Sequence, residues 1–369
     1  MTSLGCGALR TNIIALVPLT AIMACAPAVR LQVLQPAEVA LPTHVRSLAL
    51  VDRSRAKNVG QQVLGTLEGV LTGEGVGLDR AGAQGAIGGL VDVLVASPRF
   101  EVLVPELSKE QVESGLSDTA LSDQAIANIC RSSGAQAIVA LEAFDSDSSM
   151  TEWTEFEESS TGSEKVFYAE RQVRVLSAFR VYDGTNQVVL DDARDRWVSD
   201  AWQADGGTKR AARRHLPALH ELVGMLAEES GQAYGRRIAP HYVMVQRRYF
   251  GGGTPEMVLA KKMARDGDWQ AAQVIWAELV AHPDQQIVAK SHFNLAVAAE
   301  EGGRLDEAMK HAQLADRVLR RRKTRRYLSV LQTRRRDALR VQEQMAHEQA
   351  DHDTGTGRPL AVPAGEAEH

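Results

Sequence analysis

The chain has 369 residues, with 47 acidic side chains against 42 Lys and Arg and a formal net charge of −5. That balance argues against generic nucleic-acid binding, and an aromatic content of 5% leaves little for a broad base- or sugar-stacking surface. The cysteines are Cys6, Cys25 and Cys130, too few and too scattered for a cysteine-built metal site.

Arg10 precedes an apolar core of about ten residues, from Ile13 to Ile22. That is a signal-peptide length rather than the roughly 20 residues of a spanning helix. Ile22, Met23 and Ala24 lead into Cys25, which resembles the lipobox cut by the bacterial lipoprotein peptidase. The resemblance implies that residues 1–24 are removed and that the Cys25 thiol and amine are acylated. Two or three chains anchor durably, because each buried methylene contributes about 0.8 kcal/mol. An ordinary secretory peptide cut within Ala24-Cys25-Ala26 is the other reading. With Cys25 lipidated only Cys130 remains, and no intramolecular disulfide forms. Ala26 lacks the Asp that retains some lipoproteins at the inner membrane, which points to the outer membrane facing the periplasm.

Residues 25–44 are expected to be a tether. Ser47–Arg53 is a short apolar run, hence a buried strand. Lys57–Leu71 is amphipathic and predicts a helix, a glycine-rich turn (Gly73, Gly75, Gly77) follows, and Asp79 is placed to cap a helix over Arg80–Ala96. Phe100–Val104 alternates as a strand. Ser122 or Asp123 starts a helix that Gly134 ends, and Ala135–Phe144 is the next strand. Glu164–Tyr182 and Gln187–Ser199 flank Asp183-Gly184-Thr185, a hairpin signal. Lys209–Arg237 reads as one long helix with Pro217 near its first turn or kinking it. This order predicts an α/β or α+β sheet with packed helices over 45–250.

Leu48–Val51, Leu90–Leu103 with its Ser-Pro-Arg-Phe, Ser133-Gly134-Ala135 and Arg180–Thr185 resemble the envelope domains of the TolB N-terminal and CsgG type. Val33–Arg53 is similar to the start of a family of envelope lipoproteins that carry a tetratricopeptide tail. The resemblance implies a non-catalytic role in envelope assembly, secretion pores or synthase activation.

The tail repeats itself. Leu259-Ala260, Met263, Gly267, Ala272 and Trp276 correspond to Leu295-Ala296, Ala299, Gly303, Ala308 and Ala312 at a spacing of 36, with Pro283 closing the first set. This is similar to tetratricopeptide repeats, whose period is near 34. An all-α repeat domain is therefore expected over 255–345, ending in a capping helix Val318–Met345 that packs through Val318, Leu319, Leu328, Leu331, Leu339 and Val341. Residues 346–369 are polar and predicted to be disordered.

No residue set amounts to a catalytic or cofactor-binding constellation. The glycines at 73–89 match neither phosphate-loop order and read as close helix packing or a mobile loop. His215, His220 and Glu221 lack zinc-helix spacing, and Asp145, Asp147, Glu152, Glu155, Glu157 and Glu158 lack calcium-loop order and read as a solvated acidic loop. Cys130 reads as inert core. The expectation is a lipid-anchored envelope protein, without catalysis, cofactor, metal or nucleic acid, that serves a protein partner as an assembly or activator subunit. Cys25 is the anchor, Lys262, Arg265, Lys290 and Asn294 are the partner-binding candidates, and Arg321, Arg322, Arg325 and Arg326 in the basic run are candidates for an anionic surface. The alternative is a structural subunit of a CsgG-like outer-membrane secretion complex, for which Ser146–Phe167 would be the crossing hairpin. Its Glu- and Ser-rich make-up is a poor lipid face.

Overall fold

The computed structural model describes residues 27–54, 75–105, 119–159, 162–194 and 196–346. The signal peptide, Cys25, Lys57–Leu71 and the tail from 347 lie outside the described residues. The expected tether contains a strand, β1 (Ala28–Gln35), which pairs with β8 (His241–Arg248) in a separate two-stranded sheet.

β2 (Ser47–Asp52) runs parallel to β3 (Glu101–Leu103) and to the start of β4 (Ala137–Ser159). β4 turns back as β5 (Gly162–Asp183), and β5 pairs antiparallel with both β6 (Val189–Ala193) and β7 (Trp197–Gly206). Helix α1 (Gly75–Ala96) leads to β3, α2 (Asp123–Ser133) to β4, and α3 (Lys209–His215) and α4 (Leu219–Ile238) follow β7.

Side chains of a strand alternate between faces. Leu48, Leu50, Val139, Leu141, Phe179 and Val181 face α1 and α4 in the larger core, while Ala49, Val51, Ile138, Ala140 and Tyr182 pack with Ile126 and Ile129 of α2. Burial on both faces is why these strands read as unbroken apolar runs. The caps of α2 match the sequence: the Ser122 side chain accepts from the Ala125 N–H, and Gly134 ends the helix at φ 74°. Two expectations are corrected. Asp79 lies inside α1, not at its cap, and its carboxylate accepts from Ser146 Oγ at 2.6 Å. The expected single helix from Lys209 is two helices, because Pro217 cannot donate within a helix and the chain is extended at Leu216 and Ala218.

β4 has 23 residues and β5 has 22, paired from Ala137↔Asp183 out to Ser159↔Gly162. At about 3.3 Å per residue the hairpin is some 75 Å long. β7 accompanies it as far as Phe167↔Gly206. The acids expected on a loop are therefore on a strand. Arg213 binds Glu152, Arg174 binds Asp147 at 2.6 Å, and Trp153 stacks on Tyr168 with centroids 5.3 Å apart.

The C-terminal region is helical: α5 (Pro255–Arg265), α6 (Trp269–Glu278) with a 3-10 turn at Leu279–Ala281, α7 (Gln285–Glu301), α8 (Leu305–Leu319) and α9 (Arg322–Met345). Thr254 caps α5, with Pro255 in its first turn. Two compact units result. One joins the residues up to Leu31 to Gln246–Leu328, and the other joins Gln32–Val245 to the residues from Ser329 onward.

Candidate functional site

In the helical unit, α5 and α6 form one helix hairpin and α7 and α8 a second. Gly267 (φ 94°) and Gly303 (φ 74°) make the two turns in the left-handed region that glycine enters without strain. Ala260, Ala272, Ala296 and Ala308 are fully buried, so the paired helices approach closely. Trp276 fills the first hairpin, with Tyr249 edge-on at 5.9 Å. Phe293 of α7 lies between Phe250 and Tyr327, each 5.1 Å away.

α7 is buried on every side from Phe293 to Glu300, and its polar residues are satisfied internally. Glu300, 2% exposed, receives two nitrogens of Arg247 at 2.9 Å and the Tyr327 hydroxyl at 2.8 Å. The sequence hid this anchor, because the partners lie far away along the chain. The one local sign is a carboxylate closing the small, apolar run Leu295–Ala299.

Among the four partner-binding candidates, Lys262 and Arg265 are exposed on α5 and Lys290 is half-buried on α7. Asn294 is corrected. It is fully buried, accepts from the Phe250 N–H at 2.7 Å and donates to the Phe250 carbonyl at 2.8 Å, so its amide is engaged inside the unit and out of a partner's reach. The four do not form one exposed set. Arg321, Arg322, Arg325 and Arg326 are all exposed around the start of α9. Lys323, from the same run, turns inward over the Phe250 ring at 4.1 Å, and burial lowers its pKa. The capping expectation is corrected in part: Leu319, Leu331 and Val341 are buried, whereas Val318 and Leu339 are exposed.

His292 and His311 meet across α7 and α8 with Nδ1 atoms 3.0 Å apart. Burial lowers both pKa values; the facing imidazole lowers His292 further, while Glu307 opposes the shift at His311. The unfolded chain therefore takes up protons first. The contact's contribution is fully present above the ordinary imidazole value, about 6.5, and is lost as pH falls below it. Urea midpoints measured across pH 5–8 should decline on the acid side in the native protein, and His292→Gln/His311→Gln should flatten that decline.

In the α/β unit a bulge between Leu141 and Ala143 re-aims Glu142. Its carboxylate meets the Arg53 guanidinium and accepts from the Tyr182 hydroxyl at 2.5 Å, and the Leu121 N–H donates to that hydroxyl at 3.2 Å. Arg53, Glu142 and Tyr182 are all at most 2% exposed, so the cluster ties β2, β4 and β5 together as an internal strut. Burial raises the Tyr182 pKa and, with Asp183, pushes the Cys130 thiol up to about 11, leaving it a poor nucleophile. His215, His220 and Glu221 are exposed, with His215 on a different helix from the other two, and no group of three or more metal-binding side chains occurs among the described residues. Gly82 and Gly89 of α1 serve packing. A Cβ on Gly89 would lie 2.1 Å from the Glu228 carbonyl oxygen of α4.

Residues 45–250, more than half of the chain, match the family described as Domain of unknown function (DUF8603). The chain belongs to the DUF8603 family. Its helical part matches a second family, Domain of unknown function (DUF6340), over residues 258–333. Comparison with curated proteins returns no match. The DUF8603 region thus spans the six-stranded sheet with α1–α4 and β8, and the DUF6340 region contains the helix hairpins. Among the described residues no helix is long and apolar enough to cross a membrane.

Proposed function

We propose that this DUF8603 chain is a lipid-anchored envelope protein acting as an assembly or activator subunit, without catalysis of its own. In this reading Cys25 holds it to the membrane, with the outer membrane facing the periplasm as its place. The helix hairpins act as a tetratricopeptide-type partner-binding module. The observation that carries the reading is the succession of two alanine-lined helix hairpins with glycine turns at equivalent positions, Gly267 and Gly303. Such hairpins stack into binding surfaces, and Lys262 and Arg265 stand exposed on the first of them.

Two measurements test it. Cys25→Ser should move the protein from the membrane to the soluble fraction; retention would refute the anchor. Crosslinking and pull-down from envelope fractions should recover a partner with the native protein and lose it with Lys262→Glu/Arg265→Glu, whose sites are exposed and leave the fold intact. Equal recovery would exclude this face.

The β4–β5 hairpin favours a second reading, a structural subunit of a secretion complex. Its outer part exposes Glu155, Glu157 and Glu158, which suits water better than lipid tails. Detergent-extracted rings seen by electron microscopy would decide for it.

A further inference from the structure

The basic run is not a uniform solvated face. Where α8 passes into α9 it folds around a groove of about 490 Å³ lined by Gln313, Asp316, Arg317, Arg320, Arg325 and Leu328. Three arginines thus line one concavity. Among the described residues none of them is paired with a carboxylate in an ion pair, and the single acid, Asp316, accepts from the Thr324 hydroxyl. The groove carries an excess of positive charge that the molecule itself does not neutralise.

A second observation points the same way. Arg320 caps α8 in the left-handed conformation, φ 46° and ψ 32°, where glycine is the unstrained choice. A non-glycine residue there costs on the order of 1 kcal/mol. The strain places the Arg320 side chain against its own helix end, with Nε donating to the Arg317 carbonyl at 3.3 Å. Arg320 so held is one of the residues that line the groove.

We propose that Arg317, Arg320 and Arg325 form a binding site for a phosphate group. Guanidinium presents paired N–H donors that match phosphate oxygens, and several together neutralise a phosphate's charge. The wall formed by Leu328 suits a ligand whose phosphate carries an apolar portion. The phosphodiester headgroup of an anionic lipid has that chemistry. Its choice over a soluble phosphate compound rests on the membrane-anchored reading; the phosphate chemistry does not.

The test uses the mature chain from position 25 with Cys25→Ser, made without residues 1–24, so that neither lipidation nor the apolar Ile13–Ile22 core contributes. Binding is measured to vesicles of phosphatidylglycerol in phosphatidylcholine, to pure phosphatidylcholine vesicles, and calorimetrically to inorganic phosphate and glycerol 3-phosphate. We expect binding to the anionic vesicles, weakened about tenfold by each of Arg317→Gln, Arg320→Gly and Arg325→Gln. Lys310→Gln, an exposed charge of α8 outside the groove, should change it less than about twofold, as peripheral charges do. Arg320→Gly supplies the distinguishing readout, because it should raise the melting temperature while lowering affinity. Equal losses from groove and outside variants, or no preference over phosphatidylcholine together with no phosphate binding, would overturn the site. Binding to the soluble phosphates alone would support the site and overturn the lipid as its ligand. Membrane release of the Cys25→Ser protein in cells tests the anchor separately.

Discussion

Replacing Glu300 with Ala is expected to remove about 3–5 kcal/mol from the stability of the helical unit. The carboxylate is buried and receives the Arg247 guanidinium through both its oxygens and the Tyr327 hydroxyl besides. Truncation leaves that guanidinium, with its side chain only 14% exposed, without a counter-charge. The loss therefore reflects an abandoned charge more than a missing attraction. Replacing both partners, Arg247→Met with Glu300→Leu, should recover most of the stability, because a buried ion pair contributes little over apolar groups of similar volume. Tyr327→Phe should cost about 1.5 kcal/mol, a hydrogen bond to a charged acceptor. Urea unfolding followed by the fluorescence of Trp269 and Trp276, which lie in the same unit, reads all three variants. Equal stability of Glu300→Ala and the native chain would show that the Arg247 cation escapes to water.

The second large effect is expected at Gly231. A Cβ there would lie 1.8 Å from the Ala86 carbonyl oxygen and 2.8 Å from the Leu90 nitrogen. Both contacts are backbone, so no side-chain rotation relieves them, and α1 and α4 must separate. Overpacking of this kind costs about 3 kcal/mol, with further loss from Phe179 and Tyr234, which stack at 4.6 Å between sheet and helix. Gly88→Ala is the matched control. It lies in the same helix pair with nothing within 4 Å of its Cβ, so it should gain about 1 kcal/mol from helix propensity. Thermal melts by circular dichroism should move in opposite directions for the two variants. A melting temperature for Gly231→Ala at or above the native value would show that the helices have room to part.

Much of the frame was legible in the sequence because local rules governed it. Ser122 and Gly134 fixed α2 at both ends, and the apolar run at Ser47–Asp52 announced a buried strand. Where a residue's role depends on a distant partner, the local pattern misled. Asp79 had the right chemistry for a cap, but helical chain already precedes it and Ser146 takes its carboxylate. Asn294 looked like a polar surface residue because the pattern of α7 does not reveal that its other face meets Phe250. Glu142 and Glu300 interrupt apolar runs, a sign of burial with a partner, yet nothing nearby names Arg53 or Arg247. β8 went unread because its apolar residues, Tyr242–Val245, fall on both faces without alternating with polar ones, and Tyr242 and Met244 are exposed. In the basic run, counting charges identified the segment, but only the packing of α9 after α8 shows that Arg317, Arg320 and Arg325 line the groove while Arg321, Arg322 and Arg326 do not.

The fastening of Ala37 bears on how the protein is made. Its N–H donates to Gln344 Oε1 at 3.0 Å, and its carbonyl accepts from Gln344 Nε2 and from Arg340, each at 3.1 Å. These partners are 307 and 303 residues away, although all belong to one unit. A ribosome adding about 5–20 residues per second needs roughly 5–20 s to travel from Phe250 to Gln344. Through that interval every strand of the sheet has been synthesised, while the partners of Ala37 have not. The unit that holds the sheet is therefore finished last, by the final turns of α9.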